Sequence, residues 1–126
     1  MILGKRWREA AAKGARPLRA LLINAGAANA ATGEPGIADA LLCMSAVADA
    51  LRVEQSEVLP SSTGVVGRRI PVDKIVGAVP NLVATLARGE AADSAAARAI
   101  MTTDLVPKQA HREVELAGHT IHLGAI

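Results

Sequence analysis

The 126 residues suffice for one domain or part of one, and an apolar fraction of 51% supports a core burying roughly two-thirds of the unfolded surface. That fraction is mostly alanine and aliphatic, with one Trp and neither Phe nor Tyr, so the stacking platforms used on single-stranded nucleic acid are missing. The net charge is only +2, no apolar run reaches the ~18 residues of a membrane span, and the lone Cys43 excludes an internal disulfide and points to a reducing compartment, the cytoplasm.

Basic residues crowd the start of the chain, where Lys5, Arg6, Arg8, Lys13, Arg16 and Arg19 are opposed only by Glu9. A nucleic-acid or membrane-surface arm is one reading of such a cluster. Trp7 and the alanines give residues 5–13 an apolar side, so the segment reads instead as the end of a helix with a solvated basic face. Pro17 breaks it, and Leu18–Ile23 follows as a short buried strand. Residues 24–33 form a loop of small residues. Pro35 suits the first turn of a helix, and Ile37, Leu41, Met44, Ala48 and Leu51 recur at helical spacing behind it. Cys43 lies on that apolar face as a small buried hydrophobe.

Val58–Ser62 reads as a second strand running into a turn at Thr63-Gly64. Pro71 opens a helix whose apolar members are Ile75, Val79, Leu82, Val83 and Leu86. Pro80 kinks or divides it and Gly89 stops it. An alanine-rich helix capped by Asp93 or Ser94 leads into Met101-Thr102-Thr103-Asp104. Glu113–Leu116 and Thr120–Leu123 alternate as strands, with Gly118-His119 as the hairpin turn. The fold class is α/β: mixed sheets with packed helices and a C-terminal β-hairpin, in a single partial domain over residues 1–126.

Four motifs carry candidate chemistry. The Asn24–Gly36 loop is rich in small residues, but Gly26, Gly33 and Gly36 do not keep the spacing of a phosphate-binding fingerprint. Asn24 and Asn29 are better read as satisfying loose backbone groups in a turn. Thr63-Gly64 sets a hydroxyl beside a glycine N–H at a strand end. Such a pair can hold the oxyanion of an acyl transfer, although Ser-Thr-Gly alone is commonly a turn. Met101-Thr102-Thr103-Asp104 sets two hydroxyls and a carboxylate at a helix end, fit to hold a substrate's ammonium or carboxylate or to terminate the helix. His111, His119 and His122 match no carboxylate or thiol pattern, so they read as exposed side chains and no metal is expected.

Taken in order, these segments resemble the ornithine acetyltransferase family, the bifunctional glutamate N-acetyltransferases of arginine biosynthesis. The resemblance rests on Asn24-Ala25-Gly26-Ala27-Ala28-Asn29-Ala30, on Ser62-Thr63-Gly64-Val65-Val66-Gly67 with Pro71-Val72-Asp73-Lys74-Ile75, and on Ala99-Ile100-Met101-Thr102-Thr103-Asp104 with Pro107-Lys108. It runs from about Trp7 onward and implies an α/β fold that cuts its own chain at an Ala–Thr bond, freeing a threonine nucleophile whose α-amine is the base. The implied reaction moves acetyl from N-acetylornithine to glutamate, with acetyl-CoA a further possible donor and no cofactor. Thr63 and Gly64 match the oxyanion-hole pair, and Thr102 matches a threonine that contacts the amino-acid substrate. Thr103, Asp104 and Lys108 match supporting neighbours.

The same resemblance implies that the chain is the central part of an α chain. The N-terminal strands, the cleavage site with its glycine-rich segment, and the whole β chain lie outside it, and relatives assemble as αβ hetero-oligomers. Ala27 departs from an asparagine common in relatives. Ala84-Thr85-Leu86-Ala87 mimics the cleavage site but falls inside an expected helix and lacks the glycine segment. Without a nucleophile the chain is expected to be inactive alone. The alternatives are a non-catalytic interaction module on the same scaffold and a nucleotide site at the Asn24–Gly36 loop.

Overall fold

A computed structural model describes residues 2–14 and 16–126. The elements run α1 (Ile2–Ala11), β1 (Ala20–Ala27), α2 (Gly33–Leu51), a single 3₁₀ turn at Gln55–Glu57, β2 (Val58–Val65), α3 (Val72–Ala84), α4 (Glu90–Ala99), β3 (Ala110–Leu116) and β4 (His119–Ala125). Internal contacts gather into two compact units, Met1–Leu86 and Ala87–Ile126.

In the first unit β1 and β2 pair in parallel, in register from Ala20 opposite Val58 to Ala27 opposite Val65. Alternation assigns the faces. Ala20 and Leu22 pack with Val58 toward α2 and α3, joining Met44, Val47, Ala48 and Val79 in the core. Leu21 and Ile23 point the other way and are exposed. A second cluster of Ala27, Cys43 and Ile70 packs beside it. Leu3 brings α1 against the same core, while Lys5 and Glu9 pair loosely on its exposed side.

Several element boundaries differ from expectation, for local reasons. α1 ends at Ala11, well before Pro17, because the chain tightens through Lys13 to Ala10 and Gly14 to Ala11 backbone bonds. Parallel pairing carries β1 to Ala27 and β2 to Val65, so Thr63-Gly64 is strand, not turn. Pro80 does not divide α3, which is one helix ending at Ala84. Leu86 lies beyond it, exposed, and Thr85 caps the end by donating its hydroxyl to the Asn81 and Leu82 carbonyls. Ala84-Thr85 therefore sits at a helix terminus, not inside a helix. Gly89 begins α4 as its N-cap, displacing Asp93 and Ser94 from that role, and Glu90 and Asp93 lie in the first turn where the helix dipole favours them.

In the second unit β3 and β4 form an antiparallel hairpin, in register from Ala110 opposite Ala125 to Leu116 opposite His119. The turn is Ala117-Gly118, both at positive φ (50° and 78°), as a two-residue primed turn requires. His119 is therefore the first strand residue of β4 and not part of the turn.

Candidate active site

Two short loops and the ends of β1 and β2 converge in the first unit. The Ser62 hydroxyl donates to Asn24 Oδ1 (2.6 Å), and Asn24 Nδ2 donates to the Ala27 carbonyl (3.1 Å). This chain of bonds ties β2 to the bend that ends β1. Asn29 is spent in the same way: its Nδ2 donates to the Gly36 carbonyl (2.8 Å) and its Oδ1 accepts from the Thr32 hydroxyl (2.9 Å). Both asparagines serve backbone geometry, as the composition of the loop indicates. Gly36 makes this packing possible, since a Cβ there would lie 2.6 Å from Asn29 Oδ1.

Further on, the exit from β2 is latched to the same loop by Ala28 N–H to the Val65 carbonyl (3.0 Å) and Gly67 N–H to the Ala30 carbonyl (2.8 Å). A cleft of about 670 Å³ opens beside the latch, lined by Asn29, Thr32, Gly36, Ser61 and Ser62 among others. Thr63 and Gly64 stand outside this cleft. By register Thr63 lies opposite Ala25, on the face that also carries Leu21 and Ile23. Thr63 is exposed and, among the described residues, its hydroxyl has no hydrogen-bond partner. Gly64 pairs with Gly26 at φ +128°, so close that an added Cβ would lie 2.6 Å from the Gly26 carbonyl oxygen. Two glycines facing each other let the strands meet where any side chain would part them.

One strong electrostatic contact braces this corner and is invisible to motif reading. Asp39, buried on α2, accepts both Arg69 Nε (2.7 Å) and Arg69 Nη2 (2.5 Å) in a two-pronged pair. These hydrogen bonds from the guanidinium hold the Asp39 carboxyl below its usual range, against the opposing effect of burial. Arg69 follows β2 by four positions, so the pair fixes the return of the chain toward α3. Burial together with the Asp39 charge pushes the nearby Cys43 thiol up. A signal did exist: Asp39 lies in register with Gly36, Ala40, Cys43 and Val47 on the buried stripe of α2, and a carboxylate there demands a cation.

In the second unit Thr102-Thr103-Asp104 follows the C-terminus of α4. Thr102 is exposed, and its backbone N–H points at the Asp104 carboxylate (3.5 Å). Asp104 also pairs with Lys108, whose ammonium lowers the Asp104 pKa. Thr102 and Thr63 belong to different units. On the hairpin, antiparallel pairing places Glu113 directly opposite His122. Glu113 Oε1 lies 3.3 Å from His122 Nδ1, and the His111 and His122 rings stack at 5.7 Å and 16°. A carboxylate thus does accompany the histidines, correcting the reading from linear spacing, which cannot register a cross-strand neighbour.

Comparison with known proteins gives a consistent result. The ArgJ family model matches residues 5–126. The chloroplastic arginine biosynthesis bifunctional protein ArgJ of Physcomitrium patens is 52% identical over 108 residues, covering 86% of this chain and 21% of that protein. A glutamate N-acetyltransferase of Methanothermobacter thermautotrophicus is 44% identical over 110 residues, covering 86% of this chain and 27% of that protein. Among solved structures, ornithine acetyltransferase complexed with ornithine, from Mycobacterium tuberculosis, superimposes with a TM-score of 0.77 at 34% identity, over 98% of this chain and 65% of that one. The arginine biosynthesis bifunctional protein of Bacillus halodurans gives a TM-score of 0.70 at 32% identity, over 82% of this chain and 53% of that one. The α/β fold is theirs. The chain spans about a quarter of the length of the curated relatives it matches.

Proposed function

The chain belongs to the ArgJ family, and on that premise we propose that it carries the oxyanion-stabilising segment of an acetyltransferase working between N-acetylornithine and glutamate. The carrying observation is the Thr63-Gly64 step, an unengaged hydroxyl beside a glycine on the open face of the β1–β2 sheet. The name of the solved relative bound to ornithine supports the substrate class.

In this reading a threonine supplied by polypeptide outside the chain attacks the acetyl carbonyl of N-acetylornithine, its own α-amine taking the hydroxyl proton. The carbonyl oxygen becomes an anion, which accepts hydrogen bonds from the Thr63 hydroxyl and the Gly64 N–H. Collapse breaks the C–N bond, ornithine leaves as the protonated amine, and acetyl stays on the threonine oxygen. The α-amine of glutamate then attacks this ester through a second oxyanion in the same place. N-acetylglutamate leaves and the threonine is restored. Thr102 contacts the amino-acid portion of the substrate, with Thr103, Asp104 and Lys108 holding its turn. Acetyl-CoA serves as an alternative donor and no cofactor takes part. The partners are the remainder of an α chain and a β chain, freed by cleavage and assembled as a hetero-oligomer in the cytoplasm.

The test joins residues 5–126 to the remaining polypeptide of a complete relative and follows ornithine release from N-acetylornithine in the presence of glutamate. Thr63→Ala lowers kcat by about 10²–10³-fold, as loss of one oxyanion donor does. Unchanged turnover in that variant removes Thr63 from the role. The 126-residue chain alone shows no turnover, and measurable transfer by it overturns the assignment of the nucleophile to other polypeptide.

A further inference from the structure

We propose that the polar face of the β3–β4 hairpin is a divalent-metal site, in which His111, Glu113 and His122 hold one Zn²⁺ through two imidazole nitrogens and a carboxylate oxygen. Strand alternation divides the hairpin into two unlike faces. Val114, Leu116, Ile121 and Leu123 share one face, and His111, Glu113, Glu115, Thr120 and His122 share the other. That first face also carries Arg112 and His119 at its ends, but its four apolar side chains call for cover by protein, which leaves the face of His111, Glu113 and His122 turned to solvent.

On that face the donors converge. Glu113 and His122 are direct cross-strand partners, and His111 sits two residues before Glu113, opposite Gly124. Gly124 puts no side chain in the way of the His111 ring. One ligand atom from each of the three residues lies within 4.8 Å of the others. Zinc–nitrogen bonds of about 2.0–2.1 Å in a tetrahedron call for donors roughly 3.3 Å apart, so the exposed side chains close by up to about 1.5 Å, and the stacked His111 and His122 rings turn to aim their ring-plane lone pairs at one ion. The Glu113–His122 contact, at 3.3 Å, already has that separation. Two neutral imidazoles and one carboxylate are the donor set of three-ligand zinc sites whose fourth position takes water. Neighbouring Glu115 is occupied, accepting the Thr120 hydroxyl at 2.5 Å, and does not compete.

Titration calorimetry of Zn²⁺ into the untagged 126-residue chain tests this, and gives one ion bound per chain. Replacing a direct ligand costs at least what loss of its supporting partner costs, so His122→Ala and His111→Gln each weaken binding by roughly tenfold or more. His119→Ala, on the opposite face, leaves it unchanged. Because a substitution can loosen a hairpin, the unaltered chain supplies an independent readout by NMR. Zn²⁺ moves the imidazole C–H resonances of His111 and His122 and leaves those of His119 in place. Absence of heat and of shifts, equal shifts in all three histidines, or binding that survives both ligand substitutions overturns the site and leaves a cross-strand ion pair.

Discussion

Gly64→Ala tests whether the Gly26–Gly64 approach is what holds the candidate oxyanion segment. The added Cβ meets the Gly26 backbone, 2.6 Å from its oxygen and 2.7 Å from its Cα, so no rotamer change can relieve it. Two costs combine. Holding a non-glycine residue at φ +128° costs about 1–3 kcal/mol. Forcing extra volume into a packed contact costs a further ~1–3 kcal/mol, because the strands themselves must part. Gly26→Ala separates the two, since Gly26 also has positive φ (+117°) but nothing within 4 Å of its Cβ position. The expected losses are about 2–6 kcal/mol for Gly64→Ala and about 1–3 kcal/mol for Gly26→Ala. Urea unfolding followed by far-ultraviolet circular dichroism measures both. An equal or smaller loss in Gly64→Ala refutes the steric reasoning, whereas a Gly64→Ala chain without a cooperative transition, beside a folded Gly26→Ala, supports it.

The remaining predictions concern neighbouring features. Asp39 has a depressed carboxyl pKa in the folded chain, so its pair with Arg69 contributes stability above the unfolded value near 3.8 and loses it as pH falls through the lower folded value. The destabilisation by Arg69→Met is accordingly largest at neutral pH and narrows below about pH 4 in acid-urea titrations; a constant difference across that range contradicts the pairing. Cys43 is 1% exposed and its thiol pKa is raised, so a disulfide reagent labels it only as fast as the chain opens, and labelling at the rate of a free thiol contradicts its burial. Gly77→Ala, at an exposed position of α3 with open space at its Cβ, stabilises the chain by about 0.5–1 kcal/mol in the same urea assay. A loss there counts against the helix continuing through Pro80.

Element type was readable from the residues because apolar period and breakers agree in this chain. Ile37 through Leu51 repeats every three or four residues between Gly33 and Arg52, and α2 fills that span. Boundaries were less legible wherever pairing decided them. Nothing local in Asn24–Ala27 favours a strand, yet four rungs with Ser62–Val65 make it one. Pro80 misled because a missing N–H suggests division, while the amphipathic face of α3 keeps Val79 buried and the helix whole. Thr63-Gly64 reads as a turn because Ser-Thr-Gly carries a turn's composition, whereas pairing with Ala25-Gly26 makes it strand. Asp39–Arg69 and His111–Glu113–His122 span 30 residues and two strands respectively, distances at which sequence order carries no contact information.

Strand pairing also bears on where the proposed acyl transfer would take place. β1 and β2 form only a two-stranded sheet, and one face is sealed by α2 and α3. Two strands with an uncovered side carrying Leu21 and Ile23 are marginal in water, so that side calls for further polypeptide. Thr63 lies on it, whereas Ser62 turns inward and is spent on Asn24. Alternation therefore divides the labour of adjacent hydroxyls: the inward one fixes the backbone and the outward one stays free to donate. On the proposed reading, an attacking group brought by the covering polypeptide approaches the Thr63 hydroxyl from that open side. If the proposed function holds, covering the sheet and completing the site are one event, and the expected outcome is that a partner restoring the sheet without supplying a nucleophile restores stability but no acetyl transfer.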